Sequence, residues 1–141
     1  MKFIKMVKLS MKEIDLAKEW LKRAKSNLEK AKIKVKTKEI LYEDLCFDCQ
    51  QSAEKSFKAL LVYLNTPFPK THSINLLIEL IASQKINIPD AIKESVILTD
   101  YAVDTRYPGD YKAINKEEYK ISLKLAINVY EWVKRIINQE K

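Results

Sequence analysis

Residues 11–35 read MKEIDLAKEWLKRAKSNLEKAKIKV. Apolar side chains fall at Ile14, Ala17, Leu21, Ala24, Leu28, Ala31 and Val35, separated alternately by three and four positions. That spacing predicts a helix with one narrow seam for partner helices. Ser10 stands where an N-cap belongs, and Glu13 three residues later completes a capping box. Trp20 flanks the seam, the alanines permit close helix approach, and Lys and Arg fill much of the remaining surface.

Working outward, four more helical stretches follow. The second runs from about Leu41 to Leu64, with Leu45, Ala53, Phe57, Leu60 and Leu64 on its core face and Cys49 near it. Pro67 and Pro69 end it. Thr71 is placed to cap a third helix over His72–Ser83. Pro89 suits the first turn of a fourth that reaches about Asp104, and Pro108 and Gly109 then break the chain. Asn115 and Glu118 form another capping box, opening a fifth helix to about Asn138 with Ile121, Leu125, Val129, Trp132 and Ile136 on one face. One Gly and four Pro leave little material for hairpins. Short connections imply antiparallel neighbours, so the expected fold is all-α, an antiparallel up-and-down bundle of four to five helices. It is expected as a single domain over residues 1–141 with its core at about 10–138. In such a bundle the end of helix two, the start of helix three, the end of helix four and the start of helix five share a pole, which would bring His72 and Arg106 to one end.

A chain of 141 residues, 47% hydrophobic and 32% charged, is long enough to bury a core and is not composed like a disordered one. Cys46 and Cys49 are the only cysteines, too few for a zinc site, and neither a metal nor a cofactor is expected. Met1–Leu9 is short for a signal-peptide core and no apolar run approaches a membrane span, so the cytoplasm is the expected compartment. The net charge of +7 is unevenly spread: residues 1–38 carry 13 Lys/Arg against 4 Asp/Glu, a net of +9. A basic first helix reads either as a solvated lysine-rich surface or as a face that attracts nucleic acid.

Two places depart from a plain amphipathic pattern. On the second helix Gln51, Glu54, Lys55 and Lys58 recur at i, i+3, i+4 and i+7, with Glu54 and Lys58 spaced to pair. This polar stripe reads either as an exposed salt-bridged face or as a wall facing a groove or a dimer partner. The second place is Thr99–Tyr111 (TDYAVDTRYPGDY), with Arg106 among Asp100, Asp104, Asp110, Tyr101, Tyr107 and Tyr111. Arg anchors phosphate through its planar fork, and Tyr stacks on bases. Alternatively Arg106 pairs with Asp104 or Asp110 and fixes the chain break.

Residues 46–61 (CFDCQQSAEKSFKALL), 70–77 (KTHSINLL) and 104–110 (DTRYPGD), preceded by 17–24 (AKEWLKRA) with Asn27 and Leu28, resemble in order and spacing the motifs of HEPN domains. The resemblance spans roughly residues 10–138. It implies a helical bundle that forms a homodimer with a cleft between protomers. It also implies a partner of the MNT nucleotidyltransferase type, often in a toxin–antitoxin pair, and for some members metal-independent ribonuclease activity through Arg-x(4–6)-His. Here the chain departs from the family: no His follows Arg106, and Tyr111 stands at the position an Arg-x4-His motif would give it. A tyrosine, with an ordinary pKa of about 10, is a poor base at neutral pH. His72, the only histidine, is the remaining acid/base candidate. The expected activity is nucleotide or RNA phosphate binding through Arg106. Tyr107 and Tyr101 serve as stacking or wall residues, Lys55 and Lys58 add positive charge, and Gln51, Glu54, Asp104 and Asp110 complete the polar frame. A non-catalytic dimeric interaction module is the competing expectation.

Overall fold

The computed structural model describes residues 11–33, 39–102 and 113–139. Five α-helices and one 3-10 helix make up the described chain: α1 Met11–Ala31, α2 Tyr42–Tyr63, α3 Ile74–Ala82, α4 Asp90–Lys93, the 3-10 helix Glu94–Tyr101, and α5 Lys116–Gln139. No strand occurs among the described residues. None of the described helices is long and apolar enough to cross a membrane.

The all-α antiparallel bundle is as the periodicity predicts. Ala17, Leu21, Ala24, Leu28 and Ala31 of the α1 seam are all buried, the three alanines completely. Three methyl side chains on one face let α1 lie close along α2, its main neighbour. Asn27 meets Asp48 and Trp20 meets Lys58, so the two helices run antiparallel. On α5, Tyr119 reaches the Ala31 carbonyl while Tyr130 lies under Lys25, so α5 also opposes α1.

Several boundaries differ from the sequence reading. Helix α1 ends at Ala31 with a turn at Lys32, and Val35 and the Ser10 cap lie outside the described residues. Helix α3 starts two residues later than expected because Ser73, not Thr71, caps it: Ser73 Oγ accepts from the Leu76 N–H at 3.1 Å. Thr71 Oγ1 instead accepts from the Ser73 N–H, shaping the approach to the helix. The fourth helix is α-helical for only four residues and continues as 3-10 to Tyr101. At α5 the Asn115 cap forms as read, its Oδ1 accepting from the Glu118 N–H at 2.8 Å. Ile121, expected in the core, is 56% exposed, and Ala126, Tyr130, Val133 and Ile137 are buried instead. The reason is that α5 packs against α1, α2, α4 and the 3-10 helix together, and four neighbours need a wider face than a single seam.

The expected sharing of a pole by helices three and five also changes. Tyr42 stacks on Tyr119 at 5.2 Å, and the Ile114 N–H donates to Glu43 at 3.2 Å, so α5 starts beside the start of α2. Helix α3 has nine residues and does not traverse the bundle. The crossing is made by α4 with the 3-10 helix, from Ile92 near Trp132 to Tyr101 near Glu118. The up-and-down order is therefore α1, α2, α4 with the 3-10 helix, and α5. Helix α3 belongs to the connection.

Helix α2 is the axis of the fold. Fourteen of its residues are buried, and they include Asp48, Gln50, Glu54 and Lys58 as well as Phe57, Leu60 and Leu61. Ser52 Oγ and Ser56 Oγ lie buried there without a hydrogen-bond partner among the described residues. Two substitutions on this helix should therefore behave oppositely in urea unfolding. Phe57→Ala empties a fully buried ring site and should cost about 3–5 kcal/mol. Ser52→Ala removes an unsatisfied hydroxyl and should leave stability within about 1 kcal/mol of the parent, or raise it. Similar losses for both would contradict this packing.

Candidate functional site

The polar stripe of α2 is neither an exposed face nor an open wall. Helix α2 ends at Tyr63; Asn65 then takes a left-handed φ of 55°, and the Thr66 N–H donates back to the Leu61 carbonyl at 2.8 Å. Past Pro67 and Pro69 the chain brings Phe68 and His72 over the stripe. Glu54, 4% exposed, stands at the centre. Its Oε2 accepts from Lys58 Nζ at 2.7 Å. Its Oε1 accepts from Gln50 Nε2 at 2.8 Å and faces His72 Nδ1 at 3.0 Å. Gln51 Nε2 donates to Gln50 Oε1 at 2.7 Å, extending the chain of bonds by one residue. Lys58 is 8% exposed, and its ammonium lies 5.6 Å from the Trp20 ring centre and 5.8 Å from that of Phe68. The two rings meet edge to face at 6.4 Å. A buried cation is thus bounded by one carboxylate and two aromatic faces, the combination that keeps its burial tolerable.

This geometry settles the His72 tautomer. Burial acts to raise the Glu54 pKa, but the hydrogen bonds from Lys58, Gln50 and His72 outweigh it and hold the group below the usual glutamate value. An ionised carboxylate only accepts, so His72 Nδ1 carries the proton and donates. In the neutral ring Nε2 is then the acceptor, on a side chain that is 59% exposed.

A second polar group lies on the α1–α2 seam. Asn27 Nδ2 donates to Asp48 Oδ1 at 2.9 Å, Lys30 Nζ lies 3.3 Å from the same oxygen, and Lys55 Nζ donates to Asn27 Oδ1 at 2.8 Å. Burial lowers the Lys55 pKa, Glu54 acts to raise it, and the positive charges of Arg23 and Lys30 lower it further. Sequence reasoning placed Lys55 on the stripe but met Asn27 only as part of the family motif and gave it no role, although it is buried among the lysines of α1. Its position on the seam side, three residues after Ala24, was the available signal.

At the pole where α2 and α5 begin, the half-buried Tyr101 hydroxyl donates to Glu118 Oε2, and Ser122 lies beside it. Burial first, and then this carboxylate, push the phenol upward, so Tyr101 stays protonated. The stretch bearing Arg106 lies in sequence between Ala102, which is buried, and Ile114, whose N–H donates to Glu43. Arg106, Tyr107, Asp104, Asp110 and Tyr111 themselves lie outside the described residues. His72 is not at this pole. It sits against Glu54, twelve residues and therefore about 18 Å along α2 from Tyr42. Cys46 and Cys49 are fully buried and are not joined in a disulfide, and burial pushes the Cys49 thiol far up, which makes it inert as a nucleophile. Among the described residues no three His, Cys, Asp or Glu side chains are grouped to hold a metal ion.

The Glu54–Lys58 pair carries a pH signature. A carboxylate whose pKa is lower folded than unfolded adds stability above the unfolded value and loses it as pH falls through the folded one. At pH 7, Glu54→Gln leaves Lys58 as a buried ammonium without its counter-ion and should cost about 3–5 kcal/mol. The gap between parent and variant should narrow as pH falls below about 4, because the parent then loses the same charge. Urea titrations at both pH values measure this, and a constant gap would contradict the pairing.

The HEPN domain family model matches residues 17–136. The protein named "Putative toxin MJ1304" from Methanocaldococcus jannaschii is 30% identical over 143 aligned positions, covering 90% of this chain and 91% of that one. Among solved structures, ST0689, described as an archaeal HEPN homologue, superposes with a TM-score of 0.68 at 28% identity, covering 86% of this chain and 97% of its own. TT1696 from Thermus thermophilus also gives 0.68, at 27% identity, over 84% of this chain and 96% of its own. The buried Glu54–Lys58 pair and the returning His72 fall within the matched residues, and the chain belongs to the HEPN domain family.

Proposed function

We propose that this protein binds nucleotide or RNA phosphate through Arg106, with Tyr107 and Tyr101 as stacking or wall residues. In this reading it acts in the cytoplasm as a homodimer and pairs with an MNT-type nucleotidyltransferase in a toxin–antitoxin-like system. The observation that carries it is the convergence at one pole. Both ends of the stretch bearing Arg106, the end of α1 and the starts of α2 and α5 meet there. An arginine's planar fork suits a phosphate, whereas Lys58 is already committed to Glu54. The relative from Methanocaldococcus jannaschii carries a toxin's name, which supports the paired setting.

Arg106→Ala is expected to weaken binding of a labelled oligoribonucleotide by about tenfold or more, the effect of losing one charge-assisted contact, in a variant that melts like the parent. Light scattering on the same variant separates the competing reading, a non-catalytic interaction module. Loss of the dimer with ligand affinity unchanged would replace this proposal with that one.

A second reading has its own observation. Glu54 holds His72 Nδ1 and leaves Nε2 as the acceptor, the arrangement of an oriented general base. Metal-independent RNA cleavage by way of His72 would then persist in EDTA and disappear in His72→Asn. Tyr111, the other acid/base candidate, is separable from it by Tyr111→Phe. Parent protein that leaves labelled RNA intact in EDTA excludes both.

A further inference from the structure

The Glu54 network is closed: its carboxylate has three partners and its cation has one carboxylate and two rings. The seam network is not. Lys55 is half-buried, and its ammonium, with three N–H donors, makes its hydrogen bond to the neutral Asn27 oxygen. Among the described residues no carboxylate lies within ion-pair distance of Lys55. Of the two carboxylates whose charge bears on Lys55, Glu54 is taken by Lys58, Gln50 and His72, and Asp48 spends Oδ1 on both Asn27 and Lys30. Arg23, one turn up α1 from Asn27, has its Nε on Glu19 at 3.0 Å. The positive charges of Arg23 and Lys30 both bear on Lys55.

We infer that the seam formed by Arg23, Asn27 and Lys30 of α1 with Asp48 and Lys55 of α2 is an anion site that takes a backbone phosphate of a polynucleotide. Three cations, Arg23, Lys30 and Lys55, stand there against two carboxylates, Glu19 and Asp48, and a bound anion offsets the remaining positive charge. The site is built rather than incidental. Asn27 and Asp48 are 8% and 7% exposed, and they fix Lys55 in place through a two-bond chain. Arg23, Asn27 and Lys30 recur at i, i+4 and i+7 on one face of α1, and Asp48 and Lys55 stand two turns apart on α2. The cationic row therefore runs along the helices for about 10 Å. Lys30 brings its lower end to the last turn of α1, beside the pole that anchors the stretch with Arg106. A single strand held at that pole could lay the next phosphates on the seam, which a mononucleotide could not span. The choice of a polynucleotide as the source of the phosphate rests on the function proposed above, but the anion site itself does not.

Fluorescence anisotropy of an oligouridylate of about twelve nucleotides, from about 0.05 to 0.3 M salt, tests the site. Lys55→Gln, which removes the charge but keeps a polar amide, should bind about tenfold more weakly and lower the slope of log affinity against log salt by about 0.7. Lys55→Arg should restore both, and Arg23→Gln with Lys30→Gln should lower the slope further. The double change Lys120→Gln and Lys124→Gln, on exposed positions of α5, removes as much charge away from the seam and should have little effect. Parent affinity and slope in Lys55→Gln, or an equal loss in the α5 double, overturns the seam site, as does a parent that binds no RNA at the lowest salt. Displacement of the strand by AMP at equal phosphate concentration overturns the polynucleotide as its ligand. Binding lost in Lys55→Gln but kept in Arg106→Ala sustains the seam and rejects the Arg106 reading, and the reverse result does the opposite.

Discussion

The pairing of Glu54 with Lys58 inside the bundle is the interaction on which the rest of the structure turns. Helix α2 has neighbours on nearly every side, yet carries two full charges where solvent is excluded. Each charge taken from water is costly unless a partner and further hydrogen bonds replace the lost hydration. Gln50 and His72 complete the carboxylate, and Trp20 and Phe68 bound the ammonium. Those partners come from α1, from α2 itself and from the returning connection, so satisfying one ion pair positions three segments of chain.

The same requirement explains why the connection after α2 is so constrained. Phe68 must lie over Lys58, and His72 must reach Glu54 four residues later. Pro67 and Pro69 restrict the backbone on both sides of Phe68. Ser73 can then cap α3, and Thr99 Oγ1 accepts from the Ile74 N–H at 3.2 Å, tying the start of α3 to the 3-10 helix. A pair that would be nearly neutral on a helix surface becomes an organising contact once a loop closes over it.

The two polar networks of α2 divide its labour. The Glu54 side is saturated and faces inward, so its residues hold the fold. The Lys55 side retains cationic excess at the seam with α1, so its residues remain open to an anion. Arg23 and Lys30 share a face with a buried asparagine, and Lys55 comes to meet them.

The sequence by itself determined the helices, the α1 seam and the family, because a 3.6-residue period, capping residues and prolines act locally. Leu28 and Phe57 were legible as core for the same reason, and Asn115 as a cap. Only the tertiary structure decided that the α2 stripe is covered, because its exposure depends on where residues 66–73 fold back. It also decided that Ile121 faces out and that α5 starts beside α2's first turn. Those outcomes depend on how many neighbours each helix acquires and on α3 being too short to cross. The alternating seam of residues 11–35 holds as far as Ala31. What its spacing could not show is that Asn27, one position before Leu28, turns that seam into a polar junction as well as an apolar one.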